Sequence, residues 1–291
     1  MKFRIFTLLV LMGTFVSFSF GQLIYTNTIN NENEIKIEFL DDLRPPGVFI
    51  SHVKYAVTFF ATNRTRMLPF VVDITASGTG IERSNMKGSE TVLPGESRKK
   101  IFAVVKVGKE YKIDYEYTYR IGNFYHSKHD DNVVYEIPFK SDTIVVDNQQ
   151  FKKKKRKKRA NRATTVDFSL PIGTEIFAAR AGKVVKVVMN NSKFCPERTC
   201  VDFDNYILIM HEDGTIAKYG HLSPKSNNVV FGQEVKKGAL LALSGETGRT
   251  TKPSLHFEVY EVKRYKNQPL AVKFALFGKE EVLKVGRYFQ K

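Results

Sequence analysis

Two cysteines and six histidines carry most of the chemistry this 291-residue chain can offer. Cys195 and Cys200, in C-P-E-R-T-C, are spaced for a small disulfide-closed hairpin-tip loop or for a pair of metal thiolates. A zinc pair there needs two further ligands, and Asp202 and Asp204 are the nearest carboxylates. His126 and His129, in Y-H-S-K-H-D-D, stand beside Asp130 and Asp131. That spacing suits either a metal or a polar hairpin tip before a strand at 133–137. Ser254 and His256 are two apart, so on a strand their side chains share one face. His221 stands in K-Y-G-H-L, His211 is expected to end a strand near the same groove just before Glu212-Asp213-Gly214, and His52 has no readable context.

The formal charge is +16, and half of it sits in one run: Lys152, Lys153, Lys154, Lys155, Arg156, Lys157, Lys158 and Arg159. Eight adjacent cations repel one another into an extended, solvated segment and cannot enter a core. Residues 1–21 have the grammar of an export signal, with basic Lys2 and Arg4, an apolar stretch from Ile5 to Phe18, and small Ser19 and Gly21. Behind such a signal the run points to anionic envelope polymers, lipid headgroups or extracellular DNA, and to no specific nucleic acid. The apolar stretch is short for a membrane span and no later segment replaces it, so no transmembrane anchor is expected. In an oxidising compartment, periplasmic or extracellular, the cysteine pair reads as a disulfide before it reads as thiolates. Closing so short a loop adds about 2 kcal/mol on chain-entropy grounds.

The elements that must position these groups are strands. Ile35, Ile37 and Phe39 alternate with charged residues, and so do Val53, Tyr55, Val57 and Phe59. Runs at 70–74 and 101–107 have strand length. In 111–120 five apolar residues, four of them tyrosines, take one face, which suits a half-buried sheet and, less directly, sugar stacking. Turn signals at Pro45-Pro46-Gly47, Gly78–Gly80 and Pro94-Gly95 separate these runs, so 22–150 reads as a β-sandwich-like domain. A basic linker follows at 151–162. A second β-rich domain occupies 163–262, with an Asp213-Gly214 hairpin between strands at 206–210 and 215–219. The tail, 263–291, is basic and amphipathic, with a short helix predicted near 269–277. The fold class is therefore all-β throughout.

From Asp167 to Val262 the motifs V-D-F, P-I-G-T, A-A-R-A-G-K-V, H-E-D-G-T, K-Y-G-H-L, S-G-x-T-G and L-H-F-E-V occur in order. This stretch resembles the lysostaphin/LytM-type (M23) metallopeptidase domain. The resemblance implies an antiparallel β domain, zinc as cofactor, Asp167 and His256 as metal ligands, and His221 as a catalytic histidine. It also implies a third ligand, a histidine upstream of Asp167, and a second catalytic histidine where Ser254 stands. Neither is present, since no histidine occurs between Asp130 and Asp167. A serine hydroxyl is not basic near neutral pH and cannot replace an imidazole as proton acceptor, a loss of roughly 10²–10⁴ in rate. Two ligands fall short of the three a catalytic zinc uses.

The leading expectation is an exported, catalytically degenerate M23-like protein without zinc. Its groove binds peptidoglycan or regulates a cell-wall hydrolase, a role known for degenerate family members. The alternative is an active or weakly active zinc endopeptidase cutting peptidoglycan cross-bridges, with His126 or His129 folded over the groove as the substitute ligand. A third reading is a polyanion-binding envelope protein that works through the Lys152–Arg159 run.

Overall fold

The computed structural model describes residues 15–19, 22–30, 47–53, 55–147, 164–284 and 286–291. The chain forms two units, one of Met1–Arg66 with Phe70–Arg120 and one of Met67–Pro69 with Ile121–Lys291. Both are β throughout the described residues, as the alternation predicts, with one short 3-10 turn at Arg198–Phe203. No helix among them is long and apolar enough to cross a membrane.

In the first unit a five-stranded sheet runs in the order Phe15–Ser19, Gln22–Asn30, Lys112–Ile121, Phe70–Thr79, Asn85–Val92. A three-stranded sheet holds Gly47–Val53, Ala56–Thr62 and Lys99–Val105. The two share one core, in which Val57 and Phe59 of the small sheet meet Ile74, Ile113 and Tyr115 of the large one. Ile113, Tyr115 and Tyr117 are buried, so the aromatic face belongs to the core and is not a sugar platform. Tyr55 departs from the expected strand, because it sits in the turn of the 47–62 hairpin and is exposed. Of the stretch read as an export signal, 1–14 and 20–21 lie outside the described residues, while Phe15–Ser19 pairs antiparallel with Gln22–Asn30. The alternation at 35–39 and the cationic run Lys152–Arg159 also lie outside them.

The second unit is built on one long sheet. Its strands run in the order Glu234–Val235, Gly182–Val188, Tyr206–Met210, Ile216–Gly220, Ser254–Lys263, Thr165–Ser169, Thr143–Asp147, Tyr288–Gln290. Period-two alternation sends Val166 and Phe168, Ile207 and Ile209, Ala217 and Tyr219, and Leu255 and Phe257 into a core under one face. Asp167, Tyr206, Lys218 and His256 are thereby left on the other face. The Tyr219 hydroxyl accepts the Ala179 N–H at 2.9 Å, which satisfies the one polar atom this ring carries into the core.

The boundary falls earlier than the cationic run that suggested it. Thr143–Asp147 pairs with Thr165–Ser169, and Val134–Glu136 runs parallel to Lys273–Leu276, so 121–147 belongs to the second unit. Ile144 and Val146 are buried in its core. Strand periodicity identifies such segments but not the sheet they join. The tail is likewise part of this unit and not an appendage. The predicted helix near 269–277 is instead the strands Lys266–Leu270 and Lys273–Leu276. The first returns antiparallel along Ser254–Lys263, and Phe274 and Leu276 enter the core.

Candidate active site

Asp167 and His256 are register partners across adjacent antiparallel strands, and Gly220 is the partner of His256 on its other side. The His256 Nδ1 lies 2.8 Å from Asp167 Oδ1. A side chain at position 220 would crowd this spot, since a Cβ there would come within 3.3 Å of the His256 Cβ. The glycine of Y-G-H thus keeps the floor open. The next residue, His221, takes φ of 62°, a left-handed conformation uncommon outside glycine. That turn carries the imidazole back over the sheet, where its ring centroid stands 5.7 Å from that of His256. One donor atom each from Asp167, His221 and His256 lies within 4.8 Å of the others.

His221 is held by Asp204 and Thr247, which no sequence spacing ties to it. Its main-chain N–H donates to Asp204 Oδ1 at 2.8 Å, and its Nδ1 lies 2.8 Å from the Thr247 carbonyl and 3.2 Å from the same Asp204 oxygen. Asp204 Oδ2 takes the Lys218 ammonium at 2.6 Å. Lys218 also stands over the Tyr206 ring at 4.9 Å, and Lys186 reaches that ring from the other side of the strand pair at 5.6 Å.

Burial opposes every charge here, and the partners outweigh it. Desolvation works to raise the Asp167 pKa, but its bond to His256 and the charges around it hold the carboxyl below its ordinary value. Desolvation likewise works against a charged His256, and the Asp167 partner raises its pKa nonetheless. Asp204 is driven well below the carboxylate range, its burial overcome by Lys218 and by His221. Lys218 is raised by Asp204 in return, against its own desolvation. The centre is a set of mutually neutralising pairs, Asp167 with His256 and Asp204 with Lys218.

The remaining candidates lie elsewhere. Ser254 is buried two residues from His256, its hydroxyl 3.3 Å from the Lys252 carbonyl and 3.4 Å from the Thr250 hydroxyl. His126 and His129 do not fold over the groove as substitute ligands. The Lys128 N–H donates to the Asp213 carbonyl and the His129 N–H to Glu261, which fixes this segment beside the 211–215 turn, at the opposite end of the strands from Gly220. His126 bonds Asn123, and His129 bonds Asp131. His211 is buried at that same far end, with its Nδ1 on the Ala181 carbonyl, and so is not near the groove. Cys195 and Cys200 are joined in a disulfide with Cα atoms 5.7 Å apart, and Cys200 lies in the 3-10 turn and not at a hairpin tip.

Part of the chain around this arrangement is similar to a known family. The model of peptidase family M23 matches residues 161–270. The matched stretch lies within the second unit and is M23-like. Among curated relatives, the peptidoglycan DD-endopeptidase ShyA of Vibrio cholerae is 35% identical over 102 residues, 35% of this chain and 21% of ShyA. The cell division protein DipM of Caulobacter vibrioides is 40% identical over 74 residues, 25% of this chain and 12% of DipM. The solved catalytic domain of lysostaphin from Staphylococcus simulans is 31% identical, covering 34% of this chain and 67% of that one, with a TM-score of 0.28. This chain spans about a quarter or less of the length of the curated relatives it matches.

Within the matched stretch, Asp167, His221 and His256 are the group among the described residues that could hold a metal ion, and their donor chemistry suits zinc. Around a tetrahedral zinc with bonds of about 2.0–2.2 Å the donors stand about 3.4 Å apart. The three here lie within 4.8 Å. Bound there, a zinc ion would polarise a carbonyl and activate a water. Asp204, Lys218 and Thr247 were not found from sequence. In the sequence Asp204 stands only as a carboxylate near the cysteines, and nothing in the spacing of Lys218 or Thr247 ties them to His221.

Proposed function

We propose that the second unit is an M23-type groove that binds peptidoglycan without cleaving it, so that the protein acts as a wall-binding component or as a regulator of a cell-wall hydrolase. One observation carries this reading: His221 is the single imidazole available for two tasks. Used as the third donor with Asp167 and His256, it leaves Ser254 where a proton acceptor is needed, and a buried hydroxyl is not basic near neutral pH. Used as the base, it leaves a two-donor site, one short of a catalytic zinc. The stretch from Asp147 to Asp167 offers no relief, since it contains no histidine, cysteine, aspartate or glutamate between those two residues.

The proposal extends to export through residues 1–21 and to contact between Lys152–Arg159 and anionic envelope polymers. ShyA, a relative of the M23 domain, is named for its action on peptidoglycan, which supports that ligand for the groove here. Cosedimentation of purified protein with isolated peptidoglycan sacculi tests the reading. Binding without release of soluble fragments, with or without added zinc, is the expected result. Zinc-dependent release of fragments overturns it.

A second reading has its own support. Three donors of the right kind converge on one point, Asp167, His221 and His256. That convergence favours a zinc-binding centre and a slow endopeptidase acting on peptidoglycan cross-bridges, with water activated by the metal alone. Incubation of the zinc-loaded chain with sacculi separates the two, because release of soluble fragments that is lost in His256→Ala belongs to the second reading only.

A further inference from the structure

His221 owes its pose to a carboxylate that stands outside the donor cluster. Asp204 is 7% exposed, and its two oxygens divide their work. Oδ1 accepts the His221 main-chain N–H and faces its Nδ1, while Oδ2 takes the Lys218 ammonium. The Nδ1 also faces the Thr247 carbonyl, an atom that can only accept, so Nδ1 is the nitrogen that bears the proton. In the neutral ring Nε2 then keeps its lone pair. Orientation of one imidazole nitrogen by a bond to the other is the usual way a functional histidine is set. The bond from the His221 main chain to Asp204 also steadies the uncommon φ of 62°.

Both acceptors behind His221 trace to one covalent tie. Asp204 follows directly on the Arg198–Phe203 turn, and its N–H points back to the Val201 carbonyl. Cys200, fully buried in that turn, is bonded to Cys195. Phe194–Cys195 runs parallel to Gly248–Arg249, and the Gly248 N–H donates to the Lys193 carbonyl at 2.9 Å. Thr247, whose carbonyl faces His221, is the residue before Gly248. Its hydroxyl accepts the Asn205 N–H at 3.0 Å and donates to the Leu222 carbonyl at 2.9 Å. Gly248 takes φ of 80°, and a Cβ there would come within 2.8 Å of the Asp204 Cα. The Asp204 and Thr247 backbones are thus packed together beside the disulfide.

We propose that Asp204 is a positioning residue for His221, and that the Cys195–Cys200 disulfide keeps Asp204 and Thr247 in place to do it. The proposal deepens the reading of the groove as a binding centre and rests on it for its functional consequence. Long-range proton–nitrogen NMR of the imidazole rings in the full chain at pH 7.5, with His221→Gln to assign the signals, tests it directly. The native His221 ring is expected to show the pattern of a fixed Nδ1–H tautomer. Asp204→Ala and the Cys195→Ala/Cys200→Ala double variant are each expected to replace it with averaged tautomers and to weaken sacculus binding at least fivefold. His211, whose Nδ1 faces the Ala181 carbonyl at the far end of the sheet, serves as the folding control and should keep its pattern in both. Asp204→Asn, which retains an Oδ1 acceptor, is expected to restore the His221 pattern even where alanine disturbs the fold.

A native His221 pattern in Asp204→Ala overturns the proposal, and a native pattern in the cysteine variant overturns the role of the disulfide. An Asp204→Asn variant with averaged His221 tautomers but a native His211 overturns the positioning bond as described. Averaged tautomers with sacculus binding unchanged leave the positioning role standing and remove the groove from wall binding.

Discussion

Asp167 and His256 face one another across adjacent strands and share a 2.8 Å hydrogen bond, so each of these two candidate ligands is the other's partner. Their opposite pKa displacements make the pair an ion pair across a defined pH window. The His256 pKa is raised, so its contribution is complete below the unfolded value near 6.5 and is lost as pH rises through the higher folded value. The Asp167 pKa is lowered, so its contribution is complete above the unfolded value near 4 and is lost as pH falls through the lower folded value. The stabilisation is therefore greatest between about pH 4 and 6.5. Thermal melts of wild type against Asp167→Asn should differ most inside that window and converge on both sides of it. A difference that does not change with pH would mean the two residues do not form the pair.

Ser254→His returns an imidazole to the strand face it would share with His256. If His221 is free to serve as the third donor, this one change completes both requirements of the groove. Zinc-dependent release of soluble fragments from sacculi should then rise over wild type by about 10²–10⁴, the ordinary worth of general acid–base catalysis. Ser254 is fully buried, so the larger side chain is expected to lower the melting temperature as well. A folded variant with no gain in turnover would show that Asp167, His221 and His256 do not assemble a working metal site.

Much of this centre was legible in the chain because strand geometry is simple. Alternation places Asp167 and His256 opposite Val166, Phe168, Leu255 and Phe257 without any coordinates. The DG turn and the Y-G-H glycine are local signals of the same kind. What could not be read was tertiary. Asp204 and His221 are distant in sequence, and the bond between them depends on a left-handed turn at a non-glycine residue, which no periodicity announces. The histidines of Y-H-S-K-H-D-D looked metal-capable because spacing alone does not reveal which end of a sheet a segment caps. For the same reason the charged linker does not reveal that the 143–147 strand before it joins the sheet of the unit after it. A run of cations marks a solvated segment, but strands can pair across it.

Removing the Cys195–Cys200 bond should cost about 2 kcal/mol, the loop-closure value for so short a ring. In a unit of this size that corresponds to a fall in melting temperature of roughly 4–8 °C. The loss should appear equally in Cys195→Ala/Cys200→Ala and in the reduced wild type, measured by calorimetry. An unchanged melting temperature would mean the packing of the Arg198–Phe203 turn already fixes the loop, and that the covalent bond adds nothing to it.

His211 makes the far end of the sheet sensitive to acid. Burial pushes its pKa down to about 4, against the bond from the ring to the Ala181 carbonyl, and its Nε2 is buried without a protein partner. Because the folded value lies below the unfolded one near 6.5, the unfolded chain takes up a proton first as pH falls. Stability is therefore unaffected above about pH 6.5, declines between 6.5 and 4, and is lower by about 3 kcal/mol at the end of that range. His211→Gln, which cannot titrate, should remove this slope while costing stability at neutral pH through the altered packing against Tyr135. Urea unfolding of both proteins at pH 7, 5.5 and 4 reads the effect. Parallel pH profiles for the two would place the acid-sensitive group elsewhere in the chain.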